Sequence, residues 1–386
     1  MTGRTPWYAV AAAPLMLTGT QSLVPSLPAM QDALSLSDSQ IGLFTGAYFL
    51  PSILLALPAG MLADRLGRRA VFAGGLIVFG TCGLAMTLWP GSFTFLLIVR
   101  SVQGAAFAAV LPLTITLIAD ARSGGDQVKG VSHRSIAVKA GEALLPALGG
   151  ALVLIAWYAP MALQVLALPL AALSWRQVPR RRTTSSKMGR SVVTLLREFR
   201  NLDFVLLQSV GFFRFFFKFA LLTYLPLLTV GSGMLTILQA GFVLTASAGA
   251  ALVVAAVMTR LPIRRPPSVL IGANLVTVGI SLVVIGMADS AWIVIAASLV
   301  FGMADSAVSI IYTALIAESV AEDMRATFVA TNGAIKNLGK FAAPIGIGLA
   351  LAVLSISAGF VAVGGVAILV GISARLLANF DPGRTG

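Results

Sequence analysis

Gly60-Met61-Leu62-Ala63-Asp64-Arg65-Leu66-Gly67-Arg68-Arg69 is a polar interruption between two apolar runs. A turn this short needs Gly67 for its backbone geometry. Asp64 can face the positive N-terminal end of a neighbouring helix. The flanking runs, about 40–62 and 71–89, are each long enough to cross roughly 30 Å of hydrocarbon as a helix. The stretch therefore reads as a tight, charged turn at one surface of a bilayer.

Working outward, the same pattern repeats. With 58% hydrophobic and 11% charged residues, the 386-residue chain has too little polar surface for a soluble globule. Apolar spans occur at about 8–28, 40–62, 71–89, 93–119, 131–155, 157–176, 204–228, 236–259, 268–288, 291–317, 327–352 and 356–375, twelve in all. Their continuous apolar character excludes alternating barrel strands, which leaves helices. Of the 27 Lys and Arg residues, 21 fall in alternate connections and at the two ends. The intervening turns near 29–39, 90–92, 156, 230–235, 289–290 and 353–357 carry none. The positive-inside rule then puts both termini in the cytoplasm and the chain, multi-pass, in the inner membrane. These bases face anionic lipid headgroups, so the pI near 10.8 does not point to nucleic acid. Arg4 with the apolar run after it mimics a signal peptide, but cleavage would leave eleven spans with inverted loop charges, so an uncleaved first span is expected. The lone Cys82 forms neither an internal disulfide nor a metal site and reads as packing, and His133 reads as a solvated residue at the start of the fifth span.

The longest polar segment, from about Arg176 to Asn201, divides the spans six and six. The expected organisation is an N-terminal six-helix bundle over 1–179, a basic cytoplasmic linker over 180–202 and a C-terminal six-helix bundle over 203–386. The halves are related in sequence. A displacement of 198 residues aligns Leu117-Ile118-Ala119-Asp120 with Leu315-Ile316-Ala317-Glu318, Gly104 with Gly302, Gly141 with Gly339, Pro146 with Pro344 and Leu27-Pro28 with Leu225-Pro226, without a gap. Two repeated six-helix bundles mark a secondary transporter whose site lies near the midplane.

The turn at Gly60 to Arg69 resembles the signature loop of the major facilitator superfamily, Gly-x-Leu-Ala-Asp-Arg-x-Gly-Arg-Arg/Lys, at every defined position. That resemblance implies an all-α membrane fold of twelve transmembrane helices in two pseudo-symmetric bundles. It also implies a gating role for Gly60, Asp64, Arg65, Gly67 and Arg68, with Asp64 facing the start of span 11 near Thr327 and one arginine paired with Asp120 at the end of span 4. Arg100-Ser101-Val102-Gln103-Gly104 is similar to the Arg-x-x-Gln-Gly element of proton-coupled members, which implies a link between Arg100 and proton transfer. Pro146-Ala147-Leu148-Gly149-Gly150 resembles the Gly-Pro-x-x-Gly-Gly element of antiporters, with Leu145 where that element has its first glycine. Thr223-Tyr224-Leu225-Pro226-Leu227 and Asn332-Gly333 bring the chain nearest the bacterial multidrug-efflux, drug:proton antiporter branch.

Six bases lie inside apolar spans: Arg100, Lys139, Arg214, Lys218, Lys336 and Lys340, with Glu142 and Asp305 as the clear acids. Each costs roughly 2.5–3.5 kcal/mol at a lipid-facing helix centre, so each must face protein or water. In the family fold spans 3, 6, 9 and 12 lie outside the cavity, and here those four have uncharged interiors. Arg214/Lys218 and Lys336/Lys340 are spaced by four and Lys139/Glu142 by three, so each pair shares a helix face. Lys340 occupies the repeat position of Glu142. The surplus of bases in the C-terminal half has two readings: an anionic substrate on Arg214, Lys218, Lys336, Lys340 and Lys139, or ion pairing between bundles, such as Glu142 with Lys340, with shifted lysines. Among the phenylalanines at 212, 213, 215, 216, 217 and 219, one or two are expected to line the site.

There is no phosphate loop, metal cluster or nucleophile triad, so the expectation is neither an enzyme nor a pump that hydrolyses ATP, and no cofactor or metal. The leading expectation is a monomeric proton-coupled exporter of small amphipathic or anionic compounds by alternating access, with Glu142 or Asp305 exchanging the proton and membrane lipid as its solvent. The alternatives are a proton-independent organic-anion exchanger or uniporter, a lipid flippase, and a non-transporting membrane sensor.

Overall fold

A computed structural model describes residues 6–121, 125–178, 202–258, 265–319, 325–374 and 376–377. Most of the expected 180–202 linker and several basic connections lie outside them. All regular structure among the described residues is helical: α1 (Trp7–Leu17), α2 (Leu27–Leu34), α3 (Asp38–Ala47), α4 (Phe49–Leu54), α5 (Ala56–Leu66), α6 (Arg68–Leu88), α7 (Phe93–Ala121), α8 (Gly125–Val153), α9 (Ala167–Gln177), α10 (Leu202–Gly231), α11 (Ile237–Met258), α12 (Pro267–Met287), α13 (Ala291–Ser319), α14 (Arg325–Ala350) and α15 (Ile356–Ser373), with 3₁₀ turns at Val24–Ser26 and Ala159–Leu166. Eight of these are long and apolar enough to span a membrane, or nine if the bent pair formed by Asp38–Leu54 and Pro58–Leu66 counts as one. α14 is long enough, but Lys336, Asn337 and Lys340 interrupt its apolar character.

Three expected spans are broken rather than continuous, and prolines mark the breaks. The first unwinds after Leu17, passes through the 3₁₀ turn containing Pro25 and resumes at Leu27 with Pro28 in its first turn. Hydroxyls occupy the backbone there: Thr18 donates to Leu15 O at 2.6 Å, Ser22 to Thr18 O at 2.6 Å and Ser26 to Leu23 O at 2.7 Å. Such back-bonding competes with the helical ladder and bends it. The second span breaks around Tyr48 and again at Leu55. The sixth begins as the 3₁₀ turn that opens on Ala159, with Pro160 next, and becomes α9 only at Ala167.

The lysine- and arginine-free turns carry their own stops. Ser37 caps α3 in a capping box with Gln40, and Ser355 accepts from Ala358 N to cap α15. On the basic side, Gly67 joins α5 to α6 at φ +91°, a conformation that disfavours any side chain.

Cα proximity separates the chain into two compact units, Met1–Met188 with Ile237–Thr245, and Gly189–Thr236 with Ala246–Gly386. Within the first, α1 packs on α8 and α7, α4 on α7, and α6 on α7, α9 and the 3₁₀ turn before α9. Within the second, α10 packs on α14, and α12 on α13 and α15. Three pairings of the first unit thus recur in the second: spans 1 and 5 as 7 and 11, 3 and 4 as 9 and 10, and 3 and 6 as 9 and 12. Two close glycine contacts repeat as well. A β-carbon on Gly141 would sit 3.0 Å from Pro14, and one on Gly339 would collide with the carbonyl of Phe212, both partners shifted by 198. Likewise Gly104 lies against the Tyr48 carbonyl and Gly302 against that of Ser247. Helices this close gain dispersion contact where lipid gives little hydrophobic drive for association.

Gly302→Ala and Gly339→Ala are therefore each expected to destabilise the protein by about 1–3 kcal/mol through overpacking. Gly346→Ala, which meets nothing within 4 Å, is expected to leave the melting temperature in detergent unchanged or raised.

Candidate functional site

In the second unit the charges gather where α10, α13 and α14 meet. Arg214, on α10, is buried and forms a two-pronged ion pair with Asp305 on α13: Nη2 to Oδ2 at 2.8 Å and Nε to Oδ1 at 2.7 Å, with Nε also directed at the Asp305 carbonyl at 3.2 Å. Arg214 and Asp305 are thus largely committed to each other, and desolvation makes that commitment strong, because either group alone would be an uncompensated buried charge.

The lysines of α14 are placed differently. Lys340 Nζ lies 4.9 Å from the centre of the Phe215 ring and 6.0 Å from that of Phe219, and donates to Asn337 Oδ1 at 3.0 Å. Lys336 Nζ lies 6.0 Å from the rings of both Phe215 and Tyr312. Among the described residues no carboxylate or carbonyl pairs with Lys336, whose side chain is partly exposed. Phe215 also carries the Arg214 guanidinium at 4.9 Å. One partly exposed ring thus holds three cations by its electron-rich face, an attraction of about 0.5–2 kcal/mol for each contact. Lys218 is likewise partly exposed, one turn along α10 from Arg214.

In the first unit Arg100 is 1% exposed on α7. Its guanidinium lies between the rings of Phe44 and Tyr48, 4.8 and 4.6 Å from their centres. Nη1 donates to Gly19 O at 2.6 Å and to Gln103 Oε1 at 2.9 Å, while Nε has no partner. Gly19 lies in the unwound part of the first span, where carbonyls lack helical donors, so the buried cation supplies a donor to that break. No carboxylate lies within ion-pair distance of Arg100 among the described residues.

Lys139 and Glu142 pair at 2.9 Å along α8, with the lysine side chain 46% and the glutamate 18% exposed. The repeat-equivalent pair on α14 is Asn337 and Lys340, also three apart and also hydrogen-bonded. The same helical slot thus holds a base and an acid in one unit, an amide and a base in the other.

At the basic turn, Arg68 pairs with Asp120 at the end of α7. Asp64 is half-buried on α5 with Gly60 one turn before it, and Arg65 is exposed. The α14 side chains near Thr327, expected opposite Asp64, lie outside the described residues. Pro146, Gly149 and Gly150 form a close-packing face of α8: Gly149 abuts the Ser22 carbonyl, Gly241 approaches the Pro146 carbonyl, and Gly150 faces the backbone at Ile237 and Leu238. Ala147 N donates to Thr245 Oγ1 at 3.1 Å. His133 is exposed and Cys82 is buried in packing.

Two buried amide networks escaped the sequence reading. Gln103 Nε2 donates to Gln164 Oε1, tying α7 to the 3₁₀ turn before α9. Asn332 Nδ2 donates to Gln208 Oε1 at 2.8 Å and to Tyr312 OH at 2.6 Å, which joins α14, α10 and α13. The available signal was a lone amide in an apolar run, because an amide there needs an internal partner.

The Arg214–Asp305 geometry predicts that Asp305→Asn costs about 3–5 kcal/mol of stability by stranding the guanidinium. Replacing both with Met and Leu is expected to restore most of the loss. Melting temperatures of the purified variants in detergent check both outcomes.

The Major Facilitator Superfamily model matches residues 10–344. The chain is 30% identical over 159 residues to the bacillibactin exporter of Bacillus subtilis (strain 168), covering 39% of this chain and 40% of that protein. It is 29% identical over 136 residues to the quinolone resistance protein NorA of Staphylococcus aureus (strain MRSA252), covering 35% of each. The matched stretch thus spans about two-fifths of these relatives or less. A solved POT family transporter in complex with 5-aminolevulinic acid superposes with a TM-score of 0.77 at 13% identity, over 97% of this chain and 95% of that one, which shows a common fold. The family and these neighbours are transporters rather than enzymes. With its signature turn, repeated bundles and family match over most of its length, the chain belongs to the Major Facilitator Superfamily.

Proposed function

We propose that this protein is a secondary transporter that exports small amphipathic anions in exchange for protons, by alternating access. The observation that carries this reading is Lys336: an ammonium held over Phe215 and Tyr312 without an acidic partner among the described residues, beside an arginine already committed to Asp305. A cation supported by ring faces keeps its donors for an incoming group. Lys340 lies one turn from Lys336 on α14 and Lys218 one turn from Arg214 on α10; Lys139, the further base of the anion reading, belongs to the first unit, where it pairs with Glu142. An acidic head on the lysines with its apolar body along Phe215 is the ligand this cluster fits. Efflux fits the names of the relatives, an exporter and a quinolone resistance protein.

For the proton, Asp305 is committed to Arg214, so we assign exchange to Glu142, whose ion pair with Lys139 is local and partly exposed. Arg100 supports the unwound first span through Gly19. Arg68 with Asp120, and Asp64, Arg65, Gly60 and Gly67 around them, form the gate at the basic surface, and Pro146, Gly149 and Gly150 supply the close face on which α8 moves. The positive-inside rule supports assigning the basic turns and both ends to the cytoplasm, and the chain to the inner membrane.

Thermal stabilisation by a panel of amphipathic aromatic carboxylates, sulfonates and quaternary ammonium compounds tests this reading. Anions are expected to stabilise the protein. Lys336→Gln and Lys340→Gln are each expected to weaken their binding by about 1.5–3 kcal/mol, roughly ten- to hundredfold in Kd. Glu142→Gln is expected to keep binding but lose accumulation driven by a pH gradient in inverted vesicles. Stabilisation by cations alone, strengthened in the lysine variants, contradicts the anion reading, and anion flux indifferent to the gradient identifies proton-independent exchange.

A further inference from the structure

The second arginine of the Arg68-Arg69 pair has no role in the gate described above. Arg68 is committed to Asp120. Arg69, the next residue on α6, turns to α9 and places its guanidinium 4.4 Å from the centre of the Trp175 ring. Its Nε is buried without a hydrogen-bond partner, and among the described residues no carboxylate lies within ion-pair distance of the group. The indole therefore covers one face of a cation that no carboxylate among the described residues compensates, and whose Nη donors, unlike Nε, are not buried without a partner.

The surroundings say what those donors meet. Trp175 is 44% exposed in the last turn of α9, and Arg176 beside it and Arg65 on α5 are exposed. Exposed apolar side chains adjoin the bases: Leu173 on α9 and Leu62 and Leu66 on α5. Tryptophan at the end of a membrane helix settles at headgroup level, with leucines toward the acyl chains and bases toward the phosphates. A guanidinium offers planar, paired donors that match phosphate oxygens, and the N-terminal end of α6 adds positive potential at Arg69. Arg65 and Arg176 leave a surplus of positive charge that a zwitterionic headgroup does not neutralise.

We propose that Arg69 and Trp175 form a binding site for the phosphate of an anionic phospholipid in the leaflet on the basic side of the first unit. The guanidinium edge donates to phosphate oxygens, Trp175 fixes its plane, and the acyl chains lie along the exposed leucines. The site lies wholly in the first unit and needs no substrate, so it rests on the membrane reading of the chain and not on the proposed transport chemistry.

The test uses the full-length protein in a neutral detergent, titrated with phosphatidylglycerol, phosphatidylcholine or inorganic phosphate, with melting temperature and lipid retention in native mass spectrometry as readouts. Phosphatidylglycerol is expected to stabilise the protein and remain bound where the other two do not. Arg69→Gln is expected to lower its apparent affinity about fivefold, the scale of one base at a membrane surface. Trp175→Leu is expected to lower it as well while leaving the net charge unchanged, and Arg69→Lys is expected to fall between wild type and Arg69→Gln, because the charge remains without the planar fork. If Arg69→Gln does not yield folded protein, Arg69→Lys and Trp175→Leu carry the test. Equal stabilisation by phosphatidylcholine, reproduction of the shift by inorganic phosphate, or undiminished phosphatidylglycerol retention in the variants overturns the proposal.

Discussion

A charged side chain on a membrane helix must meet a partner, a ring face or water, and that constraint organises this molecule. A cation costs roughly 2.5–3.5 kcal/mol at the centre of a lipid-facing helix. The chain meets the cost in three ways. Arg214 takes a carboxylate, Asp305, in a two-pronged pair. Arg100 takes two aromatic faces, a freed carbonyl and an amide. Lys336 takes ring faces, with no acidic partner among the described residues. The first is a structural solution, the second supports a break in a helix, and the third is the one to which we assign a ligand.

The repeat makes these differences informative. Two units that share several helix pairings and glycine contacts supply a common scaffold, against which side-chain differences stand out. Ser298 stands at the repeat position of Arg100, and Lys340 at that of Glu142. The scaffold thus keeps several of its small-residue contacts in both units and varies its charges, as expected where packing tolerates little change in volume while partly exposed positions tolerate changes in chemistry.

The fold was legible in the sequence because hydropathy, alternating basic connections and the turn at Gly60 to Arg69 all report the same helices. The breaks in the first, second and sixth spans were not, since a hydropathy window averages over Pro14, Pro25, Pro28 and Pro160 and over hydroxyls that bond to their own helix. Spacing correctly placed Lys139 with Glu142 three residues away. It could not find Asp305 as the partner of Arg214, 91 residues off, because that pairing depends on how α10 and α13 cross. Nor did the sequence separate Arg69 from Arg68. Their neighbours Trp175 and Asp120 lie on different helices and give two adjacent arginines opposite environments. In general the sequence located the charges, and the packing determined which of them are spoken for.

The central claim is that outward movement of an amphipathic anion is linked to inward movement of protons. Linkage is reciprocal, so a substrate gradient alone must move protons. Proteoliposomes loaded with a pH-sensitive dye and given a gradient of an anion that stabilises the protein, at zero initial pH difference, test this most directly. Coupled exchange predicts a pH change inside the vesicles that tracks anion flux and disappears without protein. Protein-dependent anion flux with no accompanying proton movement, after collapse of the membrane potential, would contradict it.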